Sequence, residues 1–151
     1  MRASYAQSTR RATSLATGTD PKALIVDASA AVETLLGTDL GVRARARMRG
    51  HGLHAPAHLD AEVLSALGRL FRARELTESA VGSALDELAG APIQRHPLAA
   101  LLSGAWERRE SHRLVDGLYV ELADMLGSTI LTTDARLGRS AARAELVSDS
   151  G

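Results

Sequence analysis

The apolar stretch Ala23 to Ala30, which reads ALIVDASA, constrains the fold of this chain more than any other segment. Its first four residues, Ala23 to Val26, lack the polar alternation that is typical of a strand with one face in water. We therefore predict a strand that is buried on both faces, as in a parallel sheet. Asp27 follows directly, at the carboxyl end of the strand, which is the edge where open parallel sheets bind ligands.

Composition narrows the class of protein. The chain has 151 residues, enough for one domain with its own core. It has no cysteine, which excludes disulfides and thiolate metal sites. No apolar run approaches the roughly 20 residues of a membrane span, so we expect a soluble, cytoplasmic protein that does not bind membranes. Residues 1–22 are rich in Ser, Thr and Arg, and we predict that they form a disordered tail. Residues 23–151 are predicted to form a single domain.

Eighteen basic and eighteen acidic residues cancel over the whole chain. The first 22 residues carry four bases and one acid, so the predicted domain is mildly acidic. Binding of nucleic acid would therefore depend on local basic patches or on metal ions. Four arginines alternate along a predicted helix, and we favour a solvated helix face over a phosphate-binding patch for them: Arg43, Arg45, Arg47 and Arg49.

Signals for short strands alternate with signals for helices along the chain. Strands are predicted over residues 23–26, 53–56, 93–95, 128–132 and 145–147. Helices are predicted over residues 29–36, 39–48, 57–74, 77–88, 97–110, 114–126 and 135–139. This alternation predicts an α/β fold with a parallel sheet. Phe71 and Trp106 lie on apolar helix stripes, so we predict that both belong to the core.

Three further acids, Glu62, Asp116 and Asp134, stand where a predicted helix begins or a strand ends. Each alone is equally typical of a helix cap or a first-turn acid. Together with Asp27 they would suit a hard cation such as Mg²⁺ or Mn²⁺, which takes carboxylate oxygens as ligands. Whether the four meet in space is open at this point. A zinc site is disfavoured, because Pro56 interrupts the nearby histidines and no thiol or matched pair completes a ligand set: His51, His54 and His58.

Four segments of the chain, in this order, resemble the PIN-domain ribonucleases, and the likeness is strongest to VapC toxins of actinobacterial type. The segments are IVDAS at 25–29, HLDAEVLSAL at 58–67, DGLYVELA at 116–123 and ILTTDARL at 130–137. The resemblance extends over residues 23–147. It implies a PIN-like three-layer α/β/α fold around a central parallel sheet of four to five strands.

The resemblance also implies an activity and its residues. It assigns the catalytic metal ligands and two supporting hydroxyls to Asp27, Glu62, Asp116, Asp134, Ser29 and Thr132. One or two Mg²⁺ or Mn²⁺ ions would activate water for attack on an RNA phosphodiester, leaving a 5′-phosphate and a 3′-hydroxyl. The implied partners are RNA, a VapB antitoxin that blocks the acidic site, and a second copy in a homodimer that becomes a heterotetramer or larger with the antitoxin.

The chain departs from the family pattern in places. Arg113, Leu114 and Val115 replace the expected lead-in to the third acid, and Glu121 stands where a small or apolar residue is usual, at a position we take as peripheral. Two alternatives stay open. One is a non-catalytic PIN-like subunit that binds RNA or a partner, although no acid is missing. The other is a housekeeping RNA-processing nuclease without an antitoxin, against which the short single-domain length argues weakly.

Overall fold

A computed structural model describes residues 21–149, so all but the last two residues of the predicted tail lie outside the described residues. The strands are β1 (Ala23–Val26), β2 (Gly52–Pro56), β3 (Ile93–His96), β4 (Thr129–Thr132) and β5 (Ala144–Leu146). The α-helices are α1 (Ala28–Leu36), α2 (Asp39–Met48), α3 (Leu59–Arg72), α4 (Glu78–Gly90), α5 (Leu102–Glu107), α6 (Leu114–Leu126) and α7 (Ala135–Ser140). A 3₁₀ turn, Leu98–Ala100, precedes α5.

The five strands form one parallel sheet in the order β3-β2-β1-β4-β5, with helices on both faces. In β1, Leu24 and Val26 face the core beneath α1, α2, α3 and α4, whereas Ile25 faces α5, α6 and α7. All three side chains are buried. The predicted three-layer α/β/α fold and the strand buried on both faces are therefore confirmed.

The strand order creates a crevice at one edge of the sheet. The chain leaves β1 towards β2 and β3 on one side, and later returns to pair β4 with the other side of β1. Connections that leave in opposite directions open a crevice at the carboxyl ends of the two strands. Asp27, which follows β1, and Thr133 and Asp134, which follow β4, therefore lie at this crevice.

The helix predicted over residues 97–110 is only partly correct. The structure has the 3₁₀ turn and then the shorter α5, which ends at Glu107. Leu98 and Leu101 both pack against the core beneath α6. A 3₁₀ turn places residues three apart on the same side, which explains why the chain winds more tightly here before α5 begins.

The prediction that Phe71 and Trp106 belong to the core is wrong. Their exposed fractions are 47% and 59%. The residue just before each of them packs inwards: Leu70 on α3 and Ala105 on α5. Because one helical position turns a side chain by about 100°, the next side chain points away from the core. The guanidinium carbon of Arg109 instead lies over the Trp106 ring, 4.8 Å from the ring centroid.

The alternating arginines of α2 behave as a solvated helix face with local partners. Arg45 donates to Glu87 at 2.7 Å, Arg47 pairs with Glu145, and Arg43 donates to the Ser148 carbonyl at 2.6 Å. These contacts tie α2 to α4 and to the end of the chain, which supports the preference over a phosphate-binding patch. None of the helices within residues 21–149 is long and apolar enough to cross a membrane.

Candidate metal centre

Asp27 lies at the centre of the sheet edge, with only 5% of its surface exposed. Its backbone N–H donates to the Leu131 carbonyl at 3.0 Å, which continues the β1–β4 pairing one residue past the strand. Asp27 occupies the N-cap position of α1, but its side chain makes no capping hydrogen bond. The carboxylate therefore serves something other than the helix cap.

Two hydroxyls hold the Asp27 carboxylate. Ser29 Oγ donates to Oδ2 at 2.6 Å, and Thr132 Oγ1 donates to the same oxygen at 2.7 Å. The backbone N–H groups of Thr133 and Asp134 donate in turn to these two hydroxyls, each at 3.0 Å. Burial raises the pKa of Asp27, the negative charge of Glu62 raises it further, and the two hydroxyl donors act in the opposite direction.

Glu62 reaches the same region from the first turn of α3. The Tyr119 hydroxyl donates to its Oε1 at 2.9 Å, and His58 Nε2 lies 2.8 Å from the same oxygen without the angle of a hydrogen bond. The His58 ring packs against Tyr119, with 5.0 Å between the ring centroids. Burial first, and then the charges of Asp27 and Glu62, raise the pKa of Tyr119, so its hydroxyl remains a proton donor.

One guanidinium bridges the other two acids. Arg136 Nη1 donates to Asp116 Oδ2 at 2.5 Å, and Arg136 Nη2 donates to Asp134 Oδ2 at 3.0 Å. The hydrogen bond that Arg136 donates to Asp116 is the main reason why the pKa of Arg136 is raised. Asp134 also caps α7, because its Oδ1 accepts from the backbone N–H groups of Arg136 at 2.8 Å and Leu137 at 3.4 Å.

The structure thus brings all four predicted acids to the wall of one cleft of about 530 Å³. Three arginines share the wall with them: Arg69 on α3, Arg113 just before α6, and Arg136 on α7. As the side chains stand, no three acids or histidines within residues 21–149 converge tightly enough to hold one ion. The donor chemistry fits a divalent cation, since the cleft is lined by hard carboxylate oxygens, but a shared ion requires the carboxylates to turn towards one another.

The nearby histidines do not form a zinc site. His54 Nδ1 lies 2.9 Å from His96 Nε2 on the neighbouring strand, whereas His51 contacts the Arg49 carbonyl. His58 lies beside Glu62, with 12% of its side chain exposed, and occupies the N-cap position of α3 without a side-chain capping hydrogen bond. The three residues therefore have three separate environments.

Two side chains that contact the acids were not predicted from the sequence. Tyr119 follows Asp116 by three positions on α6, a spacing that places both on one helix face. Arg136 follows Asp134 by two positions, inside the segment ILTTDARL. Both spacings are visible in the sequence, but the partner of Tyr119 is 57 residues away and no local pattern points to it.

Comparison with known proteins places this arrangement in a family. The family model described as PIN domain matches residues 24–142, most of the described sheet and its helices. The chain belongs to the PIN-domain family. The resemblance stated from the sequence segments is thus confirmed, and members of this family depend in general on divalent metal ions.

Among its relatives, this PIN domain is similar to VapC ribonucleases. It is 54% identical over 121 residues to Ribonuclease VapC3 of Mycobacterium tuberculosis, which covers 80% of this chain and 88% of that protein. It is 36% identical to Ribonuclease VapC12 of the same organism over 78% of this chain and 91% of that protein. VapC ribonuclease Mb0985 of Mycobacterium bovis is 33% identical to it over 76% of this chain and 87% of that protein.

A solved structure supports the fold of this PIN domain. The crystal structure of PAE2754 from Pyrobaculum aerophilum superposes with a TM-score of 0.62, at 24% sequence identity, over 82% of this chain and 83% of that one. At that identity the likeness concerns the fold alone. The VapC relationship therefore depends on the sequence comparisons, and the chain is a PIN domain of the VapC type.

Proposed function

We propose that this VapC-type PIN domain is a metal-dependent endoribonuclease and the toxin of a VapBC toxin–antitoxin pair. The observation that carries the proposal is the cleft at the switch point of the sheet, which four carboxylates line together, two that follow β1 and β4 and two in the first turns of α3 and α6. Clustered carboxylates repel one another unless a cation neutralises them. The names of the relatives, VapC ribonucleases, indicate the reaction that such a cation would serve.

We assign Asp27, Glu62, Asp116 and Asp134 as the residues that would hold Mg²⁺ or Mn²⁺. When bound, the ion supplies an activated water for attack on the RNA phosphodiester and stabilises charge on the leaving oxygen. Neighbouring side chains keep the ligands in place: Ser29 and Thr132 hold Asp27, and Tyr119 holds Glu62. Such outer partners fix the orientation of metal ligands.

Arg69 and Arg113 are proposed to contact RNA phosphates. Both line the cleft, and in the described part of the chain neither makes an ion pair or a side-chain hydrogen bond. The protein as a whole has no net positive charge to attract RNA. Local cations on the wall of the acidic cleft would therefore supply the phosphate contacts that the overall charge cannot.

The proposal includes protein partners: a VapB antitoxin that covers the cleft, and a homodimer that forms a heterotetramer or larger complex with it. Four large apolar side chains on α5 and at the start of α6 support the idea of a protein interface, since each is about half exposed: Leu102, Trp106, Leu114 and Val115. Such surface is typical of sites that another chain covers. The cytoplasm is the proposed place of action, because RNA and antitoxin would meet the toxin there.

The test is RNA cleavage and growth arrest by the wild type and by Asp134→Ala, with Mg²⁺, with Mn²⁺ and with EDTA. Asp86→Ala removes an exposed acid of α4 and serves as the matched control. We expect metal-dependent cleavage by the wild type and the control, and a loss of at least about 100-fold in Asp134→Ala.

Two outcomes would count against the proposal. If folded Asp134→Ala cleaves RNA as well as the wild type does, Asp134 is not part of the catalytic centre. No cleavage by any folded, antitoxin-free protein, with RNA still bound, would favour a non-catalytic binding subunit instead.

A further inference from the structure

We propose that Arg136 is a resident counter-cation of the acidic cleft, which occupies Asp116 and Asp134 in the metal-free protein and must be displaced when a divalent cation binds. The side chain thereby sets the affinity of the site for the metal. This inference depends on the proposed metal-binding function and adds a regulatory residue to it.

Hydrogen bonds already occupy both carboxylate oxygens of Asp134 and one of Asp116. Both carboxylate oxygens of Asp134 already accept hydrogen bonds: Oδ1 from the backbone at the start of α7, and Oδ2 from Arg136 Nη2. Asp116 Oδ2 accepts from Arg136 Nη1. A cation at Oδ1 of Asp134 would crowd the helix cap, and a cation at Oδ2 would lie against the positive charge of the guanidinium, which it repels.

The guanidinium is the easier of the two to displace. The Arg136 side chain is 36% exposed and would return to water, whereas loss of the Oδ1 bonds would leave the first N–H groups of α7 without a partner. The Asp116 side chain, at 13% exposed, is more enclosed and would gain a cation in exchange for the guanidinium that it loses.

The two pairs of acids in the cleft have chemically different partners. Asp27 and Glu62 are held by hydroxyl donors, which carry no charge and can keep their hydrogen bonds beside a metal ion. Only Asp116 and Asp134 share a positively charged partner that lines the cleft. A guanidinium and a divalent cation at the same oxygens repel each other, because both are positively charged and only a few ångströms would separate them.

Across residues 21–149, no three acidic or histidine side chains converge as they stand on a point for one ion. Arg136 holds two of the four carboxylates, those of Asp116 and Asp134, against its own nitrogens. This contact explains why these two acids do not converge with the other two. Release of Arg136 would free both carboxylates to turn towards Asp27 and Glu62 in the same cleft.

The experiment measures Mn²⁺ affinity by calorimetric titration of EDTA-stripped protein, together with the melting temperature before and after addition of the metal. The proteins are the wild type, Arg136→Gln, and Arg139→Gln as the matched control. Arg139 is an exposed arginine of the same helix, for which the described residues show no acidic partner.

We expect Arg136→Gln to bind Mn²⁺ at least about 10-fold more tightly than the wild type, with a lower melting temperature in the metal-free state. Arg139→Gln should stay within roughly 2-fold of the wild type, because its charge is farther away and screened by salt. Arg136→Lys, which keeps the charge but lacks the fork that spans two carboxylates, should fall between and replaces the glutamine variant if that one does not fold.

Unchanged or weaker Mn²⁺ binding by Arg136→Gln would overturn the inference, since it would make Arg136 a support of the ligands rather than their competitor. Equal tightening in Arg139→Gln would also overturn it, because total charge would then be the cause. Failure of all four proteins to bind Mn²⁺ is a different result, which would contradict the proposed metal centre itself.

Discussion

At the scale of single residues, the buried carboxylate of Asp27 has the most unusual environment in the cleft. It is nearly inaccessible to water, lies near a second acid, and has no cationic partner among the described residues. Burial without a countercharge favours its protonated form, which is why its pKa is raised. A metal ion would supply the missing charge, so the residue is better suited to the metal-bound state than to the metal-free one.

This environment predicts a pH dependence of stability. The folded, metal-free protein holds the Asp27 proton more tightly than the unfolded chain does, whose carboxyl has a pKa near 3.8. The free energy of unfolding should therefore fall as pH rises from about 4 through the raised pKa of Asp27. Asp27→Asn removes this loss, so the variant should become more stable than the wild type as pH rises, and the difference should vanish below pH 3.8.

Urea unfolding in EDTA between pH 3.5 and 8 would measure this difference, with Asp86→Asn as the exposed control. A constant difference between Asp27→Asn and the wild type over the whole range would contradict the prediction. In the RNA assay the same variant should have lost at least about 100-fold of the cleavage activity while it keeps its fold.

A second prediction for a single residue concerns the contact between Tyr119 and Glu62. Its hydroxyl is the hydrogen-bond donor to Glu62, and its side chain is fully buried. Tyr119→Phe should weaken Mn²⁺ binding or RNA cleavage by about 10- to 100-fold, because Glu62 loses the contact that orients it. The free energy of unfolding should change by only about 1 kcal/mol, the usual contribution of one hydrogen bond. Unchanged metal affinity and activity would show that Glu62 needs no such support.

At the scale of elements, α1 and α2 pack so closely that one position must be glycine. A Cβ on Gly41 would overlap the backbone carbonyl of Glu33 on α1. Gly41 is buried in this contact, and Thr38 caps α2 by accepting from its N–H at 3.0 Å. The close approach brings α2 over the core that also supports Asp27.

We therefore predict that Gly41→Ala lowers the free energy of unfolding by about 1–3 kcal/mol, as overpacked sites do. Gly82→Ala is the matched control within α4, since nothing lies within 4 Å of its added Cβ. That control should instead gain about 0.5–1 kcal/mol from the better helix propensity of alanine. Urea unfolding of both variants measures the contrast, and a stabilised Gly41→Ala protein would show that the helices can separate without loss.

The pairing of α5 with α6 explains a residue that departs from the family pattern. Glu121 pairs with Arg108 of the segment after α5, and its carboxylate lies where a Cβ of Gly104 would be. Glu121 does not line the acidic cleft. Its charge therefore serves the contact between two helices on the far face of the sheet.

At the scale of the whole molecule, the strands and helices that the structure describes begin with Ala23 and end with Leu146. Sequence composition predicts a disordered tail over residues 1–22, but within the described residues the Lys22 carbonyl already accepts a hydrogen bond from the Gly52 N–H, at 3.1 Å. We therefore predict that deletion of residues 1–20 shifts the melting temperature by less than about 2 °C. A scanning calorimetry comparison measures this, and a larger drop would show that the segment packs against the domain.

Much of the fold was predictable from the sequence because its signals are local. The bounds of α6 agree with the prediction, and Gly127 ends the helix in the left-handed conformation that favours glycine. The prediction was wrong where burial depended on which of two adjacent helix positions faces the core. Phe71 and Trp106 lie next to buried positions, and only the packing of α3 and α5 decides that these rings face water.

Local signals in the sequence already specify the α/β class, the strand buried on both faces, and four acids at strand and helix ends, because hydrophobic periodicity and end signals act over a few residues. The tertiary structure decided that these acids share one cleft, that Tyr119 holds Glu62, and that Arg136 bridges Asp116 and Asp134. These contacts join different strands and helices. They follow from strand order and helix packing, which local patterns do not encode.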